Sequence, residues 1–546
     1  MGSTNIFSWF LALTPILAIM ILMLVFKWSA SKAGFIGWTV AMLAALFYFK
    51  ADFVSLSFSN AKGVLMALYV LYIIWGALIL YHLVDIVGGI ESIGATFAST
   101  TKNRVMLLLM IGFAFVSFLQ GVAGFGVPVA VSGPILIGLG FDPITAIAVP
   151  LIGHSWSVTF GDMASSYTAI VKAAQFNNEQ ALAFAPWAAV FTGIVCLISG
   201  FLVVHVYGGF RAIKKNILPI IIVGASMALT QVALAYFGQV TLATFIAGII
   251  GMIVTAALTR IPAFNKSEGS DSDVSSSISE VAATGENKVL KRSMGFNLAF
   301  AAYYTLIIIA VCSELIRING KQVLNILQDM GKLSLKFPNY STGLGWVTKA
   351  EDYGKVFYFG HAGSILIYSA IIGAIIYSLA GKIKLGDLTK VWNRTVKDGV
   401  GSSIATTSMV LMAFIMVESG MTYTLAKGVA DFAGFLFPVF GSLVGVLGAF
   451  MTGSNTNSNV MFGNFQVTVA HLLGVSSFIM AAAQTAGGSI GSMVAPAKVI
   501  VGTSTVGLTG REGEVLSKTF KYAIILALLM GLVSWIFLYI IFPKVM

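Results

Sequence analysis

Gln120–Pro134 reads QGVAGFGVPVAVSGP, and near the other end of the chain Met451–Gly463 reads MTGSNTNSNVMFG. The first stretch places Gly121, Gly124, Gly126 and Gly133 with Pro128 and Pro134 inside an apolar run that carries no Lys or Arg from Val105 to Val171. In a helix interior a glycine costs roughly 1 kcal/mol and a proline about 3 kcal/mol relative to alanine. A helix therefore breaks here and leaves backbone amides and carbonyls without intrahelical partners. The second stretch interrupts its apolar surroundings with Thr452, Ser454, Asn455, Thr456, Asn457, Ser458 and Asn459, and no Lys or Arg occurs from Gly428 to Ala497. In a bilayer such backbone persists only where it is buried in protein or lines a wet cavity. Two interrupted hydrophobic segments, one in each half, are the sequence sign of a secondary transporter's binding site. The plainer reading, two surface loops, would bring charge into these stretches.

Hydrophobic residues make up 58% of the 546 residues and charged residues 10%, with a mean hydropathy of +0.93; soluble domains carry roughly 25% charged residues. The expected fold class is an all-α polytopic membrane protein of about 12–14 transmembrane helices, in two inverted repeats with broken helices or re-entrant hairpins at the midplane. Residues 1–258 and 296–546 form the two halves, and 259–295, serine-rich and mixed in charge, reads as a flexible cytoplasmic linker. The net charge of +11 is read as cytoplasmic loop charge; no basic patch is interleaved with aromatics, so nucleic acid is not an expected partner. Phe7–Phe26 is long enough to span and lacks a positive flank and a cleavage site, so it reads as a retained helix and not a signal peptide. Cys196 and Cys312 fall in apolar runs and say nothing of redox compartment.

Lys and Arg gather at Lys27 and Lys32, Lys102 and Arg104, Arg211 to Lys215, Lys382 to Lys397, and Arg511 to Lys521. If these loops are cytoplasmic, the N-terminus is extracellular and the two broken segments enter from opposite faces. The loop 314–355, with six Lys/Arg, must then lie outside. Leu315, Ile318, Val323, Leu324, Ile326 and Leu327 at helical spacing predict an amphipathic surface helix within it.

No phosphate-cradling Gly-rich loop ending in Gly-Lys-Ser/Thr occurs, so movement is expected to be driven by gradients or by a partner, and the chain is not expected to be an enzyme or to need a cofactor or metal. Gly487–Gly491, GGSIG, matches a nucleophile elbow as a string, but that elbow requires a strand–turn–helix setting. Close helix packing through small residues accounts for it more simply. Intramembrane ionisable groups are expensive and count as functional candidates. Asp142 before Pro143 reads as a helix start and Asp431 as an interfacial residue. His154 and Asp162, eight residues apart, would share a face of an unbroken helix and are the candidate proton-coupling residues. Pro128 suits the first turn of a helix over 129–139, and the polar run 454–459 suits the cap of a helix over 460–474. Two helix N-termini facing each other favour a small anion, a carboxylate for choice, with Lys498 as an outlying cation. The candidate substrate-binding residues are Gln120, Gly124, Gly126, Ser132, Ser454, Asn455, Asn457, Asn459 and Gln484.

Three motifs in order, GVAGFGVPVAVSGPILIGLGFDP, MTGSNTNSNVMFGNFQ and AGGSIGSMVAPAKVIVGTSTVGLTGREGE, resemble the bacterial lactate permease family. The resemblance is strongest over about 120–170 and 448–522 and implies a plasma-membrane symporter that carries lactate, glycolate or a related 2-hydroxy monocarboxylate with a proton. In that family position 120 is usually Glu, 455 Asp, 484 Asn and 492 Lys, whereas this chain has Gln120, Asn455, Gln484 and Ser492. Conversely, His154 and Asp162 stand where the family usually has Asn and a small or apolar residue. A 2-hydroxy acid is an anion at neutral pH, and a proton carried with it cancels a cost of about 2.3 kcal/mol per 100 mV against an interior-negative potential. Asp162, aided by His154, is expected to take over the protonation role, because burial disfavours the charged form of an isolated carboxyl. A sodium-coupled carboxylate carrier is the nearest alternative, since unwound carbonyls with Asn and Ser side chains also suit sodium; a channel or a sensor that keeps the transporter fold stands further off.

Overall fold

The structure is a computed structural model that describes residues 6–543 apart from 27, 102, 123, 125, 265–292, 319–320, 507 and 509–510. Most of the expected linker lies outside the described residues. Ten helices among the described residues are long and apolar enough to cross a membrane. One of them, Asn178–Tyr236, is 59 residues long and bends at Gly208, Gly209 and Asn216, where Arg211, Lys214 and Lys215 interrupt the apolar sequence. The bend leaves an apolar arm on each side, over 178–207 and 217–236, each long enough for one crossing.

One order of elements occurs twice. The helix Phe53–Ile86 leads to the short helix Gly89–Ala98, then to helical Arg104–Val122 and Val127–Gly138, then to Pro143–Gly153 and Gly161–Ala173. Likewise Leu385–Glu418 leads to Met421–Ala433, then to Phe437–Thr452 and Asn455–Leu473, then to Ser477–Gly491 and Pro496–Thr505. The third step is a hairpin in both. Arg104 donates to the Gly140 carbonyl at 2.9 Å, which brings the ends of the first hairpin together. In the second, Ser458 Oγ donates to Gly445 O at 2.8 Å and Gln466 Nε2 to Gly441 O at 3.0 Å, so its arms lie side by side. The fourth step is in both cases a helix broken partway.

Where the breaks fall differs in part from expectation. The first hairpin turns between Val122 and Val127, with Gly126 in the left-handed region and Pro128 in the first turn that follows, as the glycine and proline pattern requires. The second turns within two residues: Gly453 (φ 75°) ends one helix and Ser454 caps the next by accepting from the Asn457 amide at 3.4 Å. The polar run is thus the first turn of a helix that starts at Asn455, not at 460, and is not unwound. Ser454 caps its first turn, and its side chains find partners on Thr159, Ser166 and Thr485, so the backbone can stay helical. His154 and Asp162 do not share a helix face either, because the chain leaves helical geometry between Gly153 and Gly161 and Asp162, Met163 and Ala164 adopt left-handed backbone.

The loop 314–355 contains the expected helix in a shorter form, without Leu315 and Ile318, and adds strands. Among its described residues a short pairing of Arg317–Ile318 with Lys321–Gln322 precedes a seven-residue helix, Val323–Asp329, and antiparallel pairing of Lys332–Phe337 with Glu351–Phe357 and of Tyr340–Ser341 with Val347–Thr348 follows it. The alternation Leu333, Leu335, Phe337 against Lys332, Ser334, Lys336 is a strand period, and it prevails beyond Asp329.

The two long helices Phe53–Ile86 and Leu385–Glu418 run antiparallel and are pinned near both ends. At one end Lys62, fully buried, pairs with Glu418 at 2.7 Å and with Glu351 of the strand loop at 2.8 Å. Lys62 takes Oε1 of Glu418, and the other oxygen, Oε2, accepts from the Tyr340 hydroxyl and from Ser59 Oγ, the latter at 2.7 Å. At the other end Arg394 meets Asp85 at 2.9 Å and His82 meets Asp398 at 3.1 Å. Removing one member of a buried pair strands its partner's charge at a cost of about 3–5 kcal/mol, whereas an apolar replacement of both is often neutral. Glu418→Ala is expected to lower the apparent melting temperature of the purified protein sharply, and Lys62→Met with Glu418→Leu to recover most of it. Equal melting temperatures for the parent and Glu418→Ala would show that the pair carries no such weight.

Candidate functional site

The helix Pro496–Thr505 brings the two hairpin tips together. A Cβ built on Gly126 meets Val501 at 3.1 Å, and one built on Gly453 meets Ala497 at 3.5 Å. These two contacts lie one turn apart on the helix, and Lys498 sits between them in sequence. Lys498 is 5% exposed. It donates to Ser492 Oγ at 3.1 Å and faces His154 Nε2 at 3.5 Å. His154 Nδ1 lies 2.7 Å from the Pro150 carbonyl, so that nitrogen carries the hydrogen and leaves Nε2 as the acceptor for Lys498.

Asp162 is the buried acid of this region, and the Lys498 charge acts on it electrostatically. The left-handed turn at 162–164 aims its carboxylate into the first break, where it accepts the Gly124 amide. Neither amide atom of Gln120 has a protein partner among the described residues, and both are buried. A Cβ on Gly124 would lie 2.5 Å from Asp162 Oδ2 and 2.9 Å from Gln120 Nε2, so only glycine lets these two side chains converge on the backbone there.

On the other side of the break, Thr159 and Thr485 share a hydroxyl contact at 3.1 Å. Asn455 Nδ2 donates to Thr159 Oγ1 at 3.3 Å, and Asn459 Nδ2 donates to Thr485 Oγ1 at 2.8 Å and to Ser166 O at 2.9 Å. Ser166 and Thr456 are linked at 2.9 Å, and the Val158 amide donates to Ser489 Oγ at 3.2 Å. The broken helix of the first half is thus stitched to both arms that follow the second break. The side-chain oxygens of Asn455, Asn457 and Asn459 remain buried without partners among the described residues. Unpaired buried acceptors cost about 1–3 kcal/mol each and mark a place where something else supplies the partner.

The sequence-predicted residues therefore divide. Gln120, Gly124 and Asp162 converge on the first break; Asn455 and Asn459 converge on the threonine pair. Asn457 is buried near the second tip. Ser132 is buried on the helix after the first break with its hydroxyl unpaired, and Gly126 packs on Val501. Ser454 is taken up as a helix cap. Gln484 is taken up in packing, donating to Ser458 Oγ at 3.1 Å and accepting from Gln466 at 3.1 Å. His154 faces Lys498, not Asp162. Sequence reasoning passed over Thr159, Ser166 and Thr485, which carry no signal apart from lying near the breaks, and it named Thr456 only as a member of the polar run. It also passed over Lys62 and Glu418, which lie at the edges of apolar runs and read as interfacial.

The serine of GGSIG takes an amide hydrogen bond from Val158, and its glycines are packing contacts: a Cβ on Gly487 would meet Ser442 O at 2.0 Å, and one on Gly488 would meet Asn455 Oδ1 at 2.0 Å. No strand precedes it, so the elbow geometry is missing at this site.

A bundle of apolar helices with two hairpins and two broken helices converging on buried polar and charged groups defines a multi-pass membrane transporter. The sequence model of the L-lactate permease family matches residues 8–541, and the chain belongs to that family. It is 28% identical to the L-lactate permease of Escherichia coli K12 over 519 residues, covering 92% of this chain and 91% of that one. It is 27% identical to the glycolate permease GlcA of the same organism over 552 residues, covering 97% and 95%. Among solved structures, Neisseria gonorrhoeae MtrF, described as illuminating a class of antimetabolite efflux pumps, aligns with a TM-score of 0.50 at 12% identity over 96% of this chain and 97% of that one; this likeness concerns the fold alone.

Gly488→Ala is expected to insert a methyl into the Asn455 amide, at about 1–3 kcal/mol of overpacking. Substrate uptake should fall more steeply than the amount of folded protein recovered by size-exclusion chromatography; full uptake would mean that Asn455 is free to move aside.

Proposed function

We propose that this protein carries lactate or a related small 2-hydroxy monocarboxylate across the plasma membrane together with a proton. The reading places the N-terminus outside, joins the halves 1–258 and 296–546 through 259–295, and has the two series of elements enter from opposite faces as inverted repeats. The observation that carries it is the Asp162 carboxylate lodged at the first break. An anion site was expected there, and the protein's own carboxylate accepts the Gly124 amide within reach of the Lys498 charge.

That placement makes substrate and proton interdependent. While Asp162 is ionised, it occupies the amide and the field of Lys498, and a second carboxylate would face like-charge repulsion in a low-dielectric site. A proton on Asp162 removes the repulsion and frees donors for the incoming carboxylate. The substrate's 2-hydroxyl finds acceptors in the unpaired oxygens of Gln120 and Asn455. His154 holds the Lys498 ammonium in place through Nε2, and Ser132, Asn457 and Asn459 complete the polar lining. The charge balance agrees: one anion and one proton cross as a neutral pair, without the cost of about 2.3 kcal/mol per 100 mV that the anion alone would meet. Where the family resemblance places Glu at 120 and Lys at 492, this chain has Asp162 packed beside Gln120 and Lys498 reaching Ser492, so an acid and a base are supplied to the same space from other positions.

Asp162→Asn tests the coupling. In vesicles it should retain lactate exchange while losing proton-driven accumulation, and the dependence of its KM on pH should flatten. Uphill uptake at the parent's level would remove Asp162 from the mechanism.

A second reading, sodium coupling, is favoured by the three buried Asn oxygens that no protein donor satisfies, since sodium is a hard cation that takes oxygen ligands. Uptake into reconstituted vesicles with choline replacing sodium separates the two: proton coupling predicts unaltered accumulation, and sodium coupling predicts its loss. In either case Asn455→Leu is expected to raise KM by about tenfold or more, in keeping with the loss of one buried hydrogen bond worth about 1.5 kcal/mol, and an unaltered KM would exclude Asn455 from the cradle.

A further inference from the structure

The C-terminal helix Glu512–Ile536 leaves one face uncovered. Ile525, Leu528 and Leu532 are exposed on it, and with Lys521 they follow the i, i+4, i+7, i+11 spacing of a single helix face. Lys521 ends that face on the side where Arg511, Lys518 and Lys521 gather. Beside it runs an open groove of about 370 Å³, lined by Phe450, Leu516, Ser517, Phe520 and Lys521. At about 30 Å³ per water, that is room for a polyatomic head group. Phe450 forms the far wall, its ring centre 6.2 Å from that of Phe520, and it stands just before Gly453, where the second hairpin turns. The acids nearby are engaged elsewhere: Glu514 pairs with Arg511 at 2.6 Å, and Glu512 accepts from Thr503 at 3.4 Å. Lys518 and Lys521 make no ion pair among the described residues. The Lys521 ammonium lies 5.0 Å from the centre of the Tyr522 ring, whose hydroxyl meets His205 Nδ1 at 2.8 Å.

We propose that this groove binds an anionic phospholipid, with the phosphate at Lys521 and the Ser517 hydroxyl, the glycerol backbone against Phe450, Leu516 and Phe520, and an acyl chain laid along Ile525, Leu528 and Leu532. The occupant follows from the chemistry at the two ends of the site. A soluble anion would use the lysine and leave the rings and the apolar stripe uncovered. A neutral lipid would cover the stripe and leave two cations unmatched. In the orientation read above, this helix starts on the cytoplasmic side, where basic pockets between spanning helices take anionic head groups. A lysine at the end of a span reaches head-group level along its own stem, and here it does so beside a groove, so the head group meets walls as well as a charge. The site also touches the transport machinery. Gly453, at the end of the arm that carries Phe450, packs against Ala497, next to Lys498. A lipid seated on Phe450 steadies the hairpin position that rests on the Lys498 helix; this effect on uptake rests on the transport reading above, whereas the binding itself does not.

The test uses the full-length protein, purified in detergent and offered equal amounts of phosphatidylglycerol and phosphatidylcholine, with the retained lipid counted by native mass spectrometry. The parent should retain phosphatidylglycerol in preference. Lys518→Gln with Lys521→Gln should reduce that preference several-fold, and Lys518→Arg with Lys521→Arg should keep it. Ser517→Trp, which leaves both lysines and fills the groove, should reduce it as well. An unaltered preference in the glutamine pair or in Ser517→Trp overturns the site, and so does release of the lipid by inorganic phosphate, which would make it a site for free anions. In vesicles the parent should take up lactate faster with phosphatidylglycerol than in phosphatidylcholine alone, and Ser517→Trp should remove the difference; equal uptake by the parent in both overturns the link to the hairpin. A parent that moves no lactate in either vesicle contradicts the transport reading and leaves the lipid counts to decide the site.

Discussion

A carboxylate and an ammonium buried among apolar helices constrain everything around them. Each ion taken out of water costs several kcal/mol even after relaxation, and mutual attraction repays this only with good geometry and further hydrogen bonds. Asp162 and Lys498 meet those terms through backbone and neutral side chains: Gly124 for the acid, Ser492 and His154 for the base. Those partners are in reach because the helices break. A continuous helix at Val122–Val127 would have bound the Gly124 amide internally, and a continuous helix through 154–161 would have turned Asp162 away from it.

The breaks in turn depend on glycines placed where a side chain has no room. Gly124 lets Asp162 and Gln120 approach the backbone, and Gly488 lets Asn455 lie across its helix. The left-handed turn at 162–164 is made by Asp, Met and Ala, none of them the residue that adopts such backbone cheaply. Strain of that kind, of order 1–3 kcal/mol per residue, persists when its surroundings over-determine it. Here they do, through the Asp162–Gly124 bond on one side and the Asn459–Ser166 bond on the other.

How much of this could be read in advance follows from what each feature depends on. The glycine and proline pattern at 121–134 is local chemistry, and both the break and the short helix after it were legible. The Asn/Ser/Thr run looked like a second unwound segment, but its polar groups cap and continue a helix, a choice made by contacts with Thr159 and Thr485 more than 25 residues distant or in the other half. The candidate residues were legible as a set because few polar residues occur in these apolar runs. Their division into those that line the site and those that serve packing, such as Gln484 and Ser454, depends on tertiary partners. Lys498 was visible only as an outlying charge, and its place between the hairpin tips comes from a helix that starts at Pro496. The buried Lys62 network escaped altogether, since a lysine at the edge of an apolar run reads as surface until its two carboxylates, 289 and 356 residues further along the chain, are seen.

That network bears on how the molecule can move. Phe53–Ile86 and Leu385–Glu418 are fastened by ion pairs near both ends, so they behave as one rigid unit, with the strand loop tied to it through Glu351 and Tyr340. Much of their contact with the polar core, by contrast, is an apolar patch of Met66, Ala67, Val410, Ala413 and Phe414 against Ala169 and Val460. Ion pairs fix register, because sliding by one turn would leave charges unpaired in a low dielectric. Apolar contacts are non-directional and lose less than ion pairs when one surface shifts along the other. The hairpins and broken helices that hold Asp162, Lys498 and the asparagines are instead tied to one another by the hydrogen bonds of Thr159, Ser166 and Asn459. The seam between the pinned frame and the cross-linked core is therefore apolar, and it is the one along which the two can shift without breaking an ion pair.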